Sequence, residues 1–537
     1  MTGSSENILD QRQKAPVDIE SGKIDAQDLT RSTGRGILWQ FAGAGWMTAA
    51  QLGSSAVLAR VLVPEDFGLL GMALLAKGLI QLVGSFGTTT GVIAKKVVTQ
   101  EDLSTAFWME AVVYCLMFVF SFAVASLAAT FFHTPELTWV LRIVSITFLM
   151  TGASCISGAV LYRELCFGTL KIIEGAGFAL QVGLAIVFAV VFDLGYRSLV
   201  LSMVLSSLAM TLATIVCARW RPRFYFRRES FRFMLRYGIN GLGFSFVLYF
   251  QNNIDYLLIS RYFGVRILGL YEFAYRIPNM LFNRLAQPIS CVVFPALSKV
   301  QTSDEKLAAG FIKTAKYISF IVLPMLGGLS VVARPTVLVL WGDQWLRAIS
   351  PLQLLCISAA IRSVLCCSST IFLCKNRPDL QFKFGIIQFL VTLVGVAVLG
   401  YLYELNGVAL GMVVGSFCWI IITHFSLRMV HCSFRRLLGV LCPSMTGTIA
   451  CVAAAFSVKY IGEIFGLPNW VILLSAIPAG ALAYLVILLV FFADQVKEAW
   501  QTFRLIISRA PTAAPPGALQ KTSSVRSNFV FQNLHHE

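Results

Sequence analysis

Charge is scarce in this chain. Only 13% of its 537 residues are charged, against 57% hydrophobic. A mean hydropathy of +0.75 excludes an ordinary water-soluble globule. No Cys-x-x-Cys spacing occurs among the 13 cysteines. Most of them lie in apolar runs, where a thiol behaves as a small hydrophobe, so neither a disulfide framework nor a metal site is expected. No cofactor is implied. An Asp-x-Asp pair that could hold a metal–nucleotide is missing, as is any long polar insertion that could house a polymerase site. Both absences argue against a membrane glycosyltransferase or polysaccharide polymerase. The first 33 residues are polar and lack the basic start and apolar core of a secretory signal.

What the chain has is apolar runs of bilayer length. A spanning helix needs about 20 apolar residues. Fourteen runs meet that need, near 36–59, 67–92, 105–131, 137–161, 170–192, 196–218, 238–260, 267–297, 312–333, 349–374, 381–403, 407–430, 437–459 and 469–493. Helices are the natural spanning structure, because lipid cannot satisfy free backbone groups. The sequence therefore predicts an all-α integral membrane protein with about 14 transmembrane helices. Of the 43 Lys and Arg, 31 fall on one side of the spans and their ends, 8 on the other, and four inside. The positive-inside rule then places both termini in the cytoplasm. The densest block, Arg219 to Arg236, reads as a basic cytoplasmic linker that meets lipid headgroups rather than nucleic acid. The expected organisation is a disordered tail over 1–33, an N-lobe over 34–218, the linker over 219–237, and a C-lobe over 238–431. Two further helices occupy 432–493. A tail over 494–537 opens with an interfacial helix containing Trp500, Phe503 and Ile507 and ends in a disordered stretch from Pro511.

Two stretches repeat. Arg60 and Gly68 recur as Arg261 and Gly269, both at an offset of 201 residues. Six spans separate the copies, so they point the same way, as in transporters built from parallel repeats around a midplane site. The second span of each copy carries a polar stripe. In span eight it is Glu272, Arg276, Asn279, Asn283 and Gln287, with Arg284 beside it. In span two it is Lys77, Gln81, Ser85 and Thr88. Pro278 and Pro288 can break span eight. Span ten adds Arg362, with Ser358 and Ser369 on the same side. Charge inside a membrane costs about 2.5–3.5 kcal/mol per residue and marks pairing or function. Lys77, Arg276 and Arg362 fit a diphosphate, Arg by its planar fork and Lys as a point charge. Asn and Gln suit sugar hydroxyls, and Tyr249, Tyr256, Tyr271 and Tyr275 could stack on sugar rings. The plain structural alternative pairs Arg276 with Glu272 and neutralises other cations with Asp255, Glu110 and Glu174. Asp255 is the candidate for ion coupling, although a salt bridge to Arg261 or Arg266 is the plainer expectation.

The segment Leu58-Ala59-Arg60-Val61-Leu62-Val63-Pro64-Glu65-Asp66-Phe67-Gly68 resembles the first-loop motif of polysaccharide flippases. So does Ala94-Lys95-Lys96, followed by Glu101 to Trp108. Asn253-Ile254-Asp255, Leu268-Gly269-Leu270-Tyr271 and Phe294-Pro295-Ala296-Leu297-Ser298 are similar to the middle of that family. The resemblance is to the polysaccharide transport branch, Wzx-type, of the multidrug/oligosaccharidyl-lipid/polysaccharide exporter superfamily. It implies two six-helix lobes around a central cavity, plus two C-terminal helices. It also implies alternating-access export of undecaprenyl-diphosphate-linked oligosaccharide across the cell inner membrane, with no bond broken. Helices one, two, seven and eight would line the cavity, so Lys77, Arg276, Asn252 and Asp255 would face it. Implied partners are that lipid-linked substrate, membrane lipids, and a polysaccharide polymerase with its export machinery. A lipid II flippase or a cation-coupled drug exporter of the same fold is the alternative.

Overall fold

A computed structural model describes residues 47–48, 50–84, 98–164 and 166–493. The predicted N-terminal tail lies outside the described residues. So do Ser85, Thr88, the Ala94-Lys95-Lys96 motif and the interfacial and disordered C-terminal segments.

All regular structure among the described residues is helical. The first half contains α1 (50–61), α2 (Pro64–Gly84), α3 (Gln100–Phe131), α4 (Leu137–Arg163), α5 (Phe167–Val190) and α6 (Tyr196–Ala218). The second contains α7 (Arg228–Tyr262), α8 (Gly264–Leu281), a π turn (Phe282–Ala286), α9 (Gln287–Ser298), α10 (Asp304–Val331) and α11 (Ala333–Leu340). It continues through a 3-10 turn (Asp343–Ala348), α12 (Ile349–Leu365), α13 (Ser368–Cys374), α14 (Pro378–Met429), α15 (Phe434–Ile464) and α16 (Asn469–Phe491). Nine helical stretches among the described residues are long and apolar enough to cross a membrane. Their outward faces carry residues such as Leu116, Leu127 and Leu474, each more than 60% exposed. Apolar exposure on that scale fits lipid, not water.

Local chemistry sets the helix ends. Thr99 caps α3, accepting from Asp102 N–H while the Asp102 carboxylate accepts from Thr99 N–H. Ser303 caps α10 in the simpler way. At 52 residues α14 would reach about 78 Å, more than twice the bilayer core. It does not, because Tyr403 and Glu404 leave helical geometry, Glu404 with a φ of 48°. The chain folds back there, between the two runs predicted at 381–403 and 407–430. Gly407 meets the Leu399 backbone and Gly411 that of Val396, the small-residue packing that lets membrane helices approach closely.

In the first half α3 packs on α4, α4 on α6, and α5 on α6. In the second, α12 packs on α10 and α14. The terminal pair α15–α16 rests mainly on α10 and α11. The halves meet through α2 against α7 and α8. Phe67 of the first half touches Phe273 of the second at 4.6 Å between ring centres, and Phe273 in turn packs on Trp345.

The repeated motif lies at this seam. A β-carbon on Gly68 would run into the carbonyl of Val265. One on Gly269 would run into the carbonyl of Pro64. The 201-residue offset that relates the glycines also relates Pro64 to Val265, so the contact is reciprocal about a pseudo-two-fold axis. The adjacent end of α1 is fastened to the second half. Trp345 Nε1 donates to the Ala59 carbonyl at 2.9 Å, Gln344 Nε2 to the Leu62 carbonyl at 3.1 Å, and Arg60 to the Val339 carbonyl at 2.6 Å. These side chains satisfy carbonyls that a helix end leaves open. Arg266 and Glu65 add an ion pair at 3.4 Å. At this end of the molecule the two halves are closed on each other.

Two predicted boundaries shift. The helix expected to start at 238 starts at Arg228, so Arg228, Arg232 and Arg236 belong to α7. Pro278 does not break α8. The helix passes through it and loosens one turn later, into the π turn.

Candidate functional site

Two cavities lie near the predicted polar stripes. One, of about 220 Å³, sits between the halves. Phe67, Leu70 and Gly71 of α2 face Tyr249, Asn253, Tyr256, Glu272 and Arg276 of α7 and α8 across it. The other, of about 260 Å³, lies wholly within the second half, where α7, α8, α12, α13 and α14 converge. Its polar wall includes Gln251, Asn252, Ser358, Arg362, Ser369 and Gln388.

The three cations of greatest interest are held differently. Arg276 lies 3.6 Å from Glu272, and its guanidinium covers the Phe273 ring at 4.4 Å. Glu272 also accepts from the Tyr256 hydroxyl at 2.5 Å. Its carboxylate is thus committed on both oxygens, and Arg276 takes the paired arrangement of the plain structural alternative. Arg362 forms no ion pair among the described residues. Its terminal nitrogens donate to the Tyr275 hydroxyl and to Asn279 Oδ1, both at 3.0 Å. Its Cζ lies 4.0 Å from the Phe282 ring centre. Neutral acceptors and a ring face hold this cation in position. Its buried Nε has no partner. Lys77 is half-buried, with Nζ 5.7 Å from the Phe148 ring centre and no ion pair among the described residues.

The other predicted residues separate. Asn252 lines the second-half cavity, and Asn279 orients Arg362. The π turn adds a residue to the helical repeat and breaks the phase of the stripe beyond Phe282. Asn283 and Arg284 sit in that turn, Asn283 exposed and Arg284 half-buried. Gln81 is exposed on α2. Glu110 is buried in α3, and Glu174 pairs with Lys171 at 2.7 Å. Neither lines either cavity.

Asp255 departs from its plainer expectation. It forms no salt bridge with Arg261 or Arg266. Arg266 goes to Glu65, and Arg261 contacts His133 and the Phe131 ring. Asp255 is instead 1% exposed, accepts from the Tyr271 hydroxyl at 2.5 Å through Oδ2, and has no partner on Oδ1. Tyr256, Tyr271 and Tyr275 pack around this acid and on one another, with Tyr271 and Tyr275 stacked at 5.7 Å. Most of these tyrosines are therefore part of the packing rather than an open platform for sugar rings. Tyr275 and Tyr256 still reach a cavity wall.

Sequence reasoning missed several wall residues, Gln251, Gln388 and Trp419 among them. Gln251 donates to Gln388 at 3.0 Å, joining α7 to α14 across the cavity. Trp419 brings an indole N–H with no partner. The available signal was the run Gln251-Asn252-Asn253, three amides inside an apolar helix. Arg362 is the one charged residue on this wall. With one guanidinium and several amides on its wall, the cavity suits a ligand that brings hydrogen-bond acceptors and negative charge.

Comparison with known proteins gives a consistent picture. Residues 57–350 match the model of a family described as polysaccharide biosynthesis protein. The succinoglycan biosynthesis transport protein ExoT of Rhizobium meliloti is 24% identical, over 93% of this chain and 99% of that one. The lipopolysaccharide biosynthesis protein WzxC of Escherichia coli is 27% identical, over 69% of this chain and 75% of that one. Among solved structures, the lipid II flippase MurJ in an inward closed conformation superposes with a TM-score of 0.71. It is 16% identical and covers 86% of this chain and 100% of its own. An inward-facing multidrug MATE transporter of the MOP superfamily gives 0.57 at 17% identity, over 72% and 94%. At these identities the structural matches establish the fold.

Proposed function

This chain belongs to the polysaccharide biosynthesis protein family, and we propose that it is a flippase moving undecaprenyl-diphosphate-linked oligosaccharide across the bacterial inner membrane for cell-surface polysaccharide synthesis. The observation that carries this reading is Arg362. It is a cation at membrane depth, positioned by neutral acceptors and set on an amide-lined wall. A diphosphate supplies the charge that this guanidinium lacks, and amides match sugar hydroxyls. The relatives named for transport or biosynthesis of surface polysaccharides support the same substrate class.

In this reading Arg362 holds the diphosphate, and Lys77, which lines neither cavity, adds to the positive field. Asn252, Asn279, Asn283 and Gln81 serve the sugars or orient the cations, and Arg284 extends the positive field. Arg276 with Glu272 forms the floor of the pocket between the halves, and Asp255 couples or stabilises the α7–α8 pair. The Lys and Arg bias puts both termini in the cytoplasm. The seam closed at Gly68 and Gly269 then faces the periplasm, and the substrate enters from the opposite side. Rocking of the halves opens the seam and releases the head group outward. A polymerase and export machinery receive it there. No bond is made or broken.

A cation-coupled exporter of cationic drugs is less well served. Glu272 is the one carboxylate among the residues lining the two cavities, and Arg276 and Tyr256 already engage it.

The test uses a strain lacking the protein, with the lipid-linked oligosaccharide labelled and probed by an impermeant glycosidase from the outer face of the inner membrane. A protected intermediate should accumulate, released by the wild-type protein and not by Arg362→Gln at equal membrane level. Full release by Arg362→Gln overturns the role of Arg362. An intermediate that is never assembled overturns the flippase reading itself.

A further inference from the structure

The connection between α6 and α7 is built, not loose. Arg219 closes α6 in the left-handed region, with φ of 50°. Pro222 fixes its own φ and keeps Arg221 extended. From there the chain is fastened to the first turns of α3. Gln100 Nε2 donates to the Arg221 carbonyl at 3.0 Å, and Trp108 Nε1 to the Arg223 carbonyl at 2.9 Å. The Arg223 N–H donates to Ser104 Oγ at 3.1 Å, and the Arg227 N–H to Thr105 Oγ1 at 2.9 Å. Trp220 Nε1 reaches Gln100 Oε1 at 2.8 Å. The run from Gln100 to Trp108, which includes the motif Glu101 to Trp108, is therefore a docking edge for a strap over residues 219–227.

Because its backbone is turned toward α3, the strap presents side chains outward. Phe224 is 94% exposed although its ring stacks on Trp108 at 4.6 Å, and Tyr225 and Phe226 are exposed beside it. Arg219 and Arg221 are exposed too, and neither forms an ion pair among the described residues. Three exposed aromatic rings are costly in water, and the unpaired guanidinium groups of Arg219 and Arg221 lie beside them. They are suited to the boundary where rings enter the headgroup layer and arginines meet anionic phosphates. Fastening to α3 removes most of the ordering cost of binding.

We propose that this strap is a docking surface for anionic phospholipid, at the membrane face where α3 begins and α6 ends. The proposal does not rest on the transport reading, since it concerns residues outside both cavities.

The test is native mass spectrometry of the full-length, delipidated protein titrated with phosphatidylglycerol or phosphatidylcholine. Wild type should bind phosphatidylglycerol more tightly. Arg219→Gln/Arg221→Gln should weaken that binding on the order of 10- to 30-fold and leave phosphatidylcholine binding unchanged. Arg435→Gln/Arg436→Gln, which removes two exposed charges at the start of α15, is the control and should have little effect. Equal binding of the two lipids by wild type overturns the proposal. So does an Arg219/Arg221 variant that loses no more than the control. Complete displacement of the lipid by millimolar inorganic pyrophosphate would make free phosphate the ligand and likewise refute it.

Discussion

The seam between α2 and α8 leaves no room for one methyl group. Gly68→Ala places a β-carbon against the Val265 carbonyl, and Gly269→Ala against that of Pro64. Both obstacles are backbone, so no rotamer change relieves them. Restoring ordinary contact near 3.5 Å requires the helices to part by on the order of 1 Å. Overpacking of this kind costs about 1–3 kcal/mol. Spent on a closed–open equilibrium, that moves the ratio about 5- to 150-fold toward the open form. The reciprocity sharpens the expectation. Once α8 has moved away from α2 for one methyl, the second enters at little further cost, so the double variant should fall well short of the sum of the singles. The assay introduces Leu70→Cys, on the wall of the pocket between the halves, into a cysteine-free background. Its reaction with an impermeant maleimide is then measured from the side on which Arg60 lies. Each single variant should label faster than its parent, and the double only slightly faster than the singles. Parental rates in both singles would show that the seam does not control access. Strictly additive effects would show that the two contacts yield independently.

Three further outcomes follow from particular contacts. Arg276→Gln should lower the melting temperature in detergent, because Glu272 loses its cation, and Arg276→Gln/Glu272→Gln should recover most of it. If the double variant melts no higher than the single, the pair is not the reason. Tyr271→Phe leaves Asp255 buried with no side-chain donor on either oxygen, at a cost of about 1–3 kcal/mol. Asp255→Asn on that background should restore part of the loss, checked by the same melt. Gly411→Leu should prevent the two arms of α14 from closing and abolish recovery of monodisperse protein, whereas Gly385→Leu, at an open position, should be tolerated.

Much of the fold was legible because the bilayer imposes one length on every span. The split between 403 and 407 was readable although the helix is nearly continuous, since Glu404 interrupts the apolar run where the backbone turns. The seam was legible as a spacing, Arg60 to Gly68 and Arg261 to Gly269, but not as a contact, which needs the two copies side by side. The site was legible as residue types and not as pairings. Glu272 and Arg276 are one helical turn apart, and that pair was foreseen. The partner of Asp255 was not, because sixteen residues and a turn separate it from Tyr271, and only the packing of α7 on α8 brings them together. The phase of the span-eight stripe failed beyond Phe282, because a π turn adds a residue that periodicity cannot anticipate. The cavity around Arg362 collects single amides from separate helices, each unremarked within its own span.

The reciprocal seam has a consequence for assembly. Each half carries a carbonyl and, one helical turn later, the gap that receives its counterpart: Pro64 before Gly68, Val265 before Gly269. Such a surface is self-complementary, with the logic of an isologous dimer interface. The chain is in this sense built like a homodimer joined end to end, with two halves that differ in charge. Arg362 and its amide-lined cavity lie in one half only, so a near-symmetric seam joins two halves of unlike polarity.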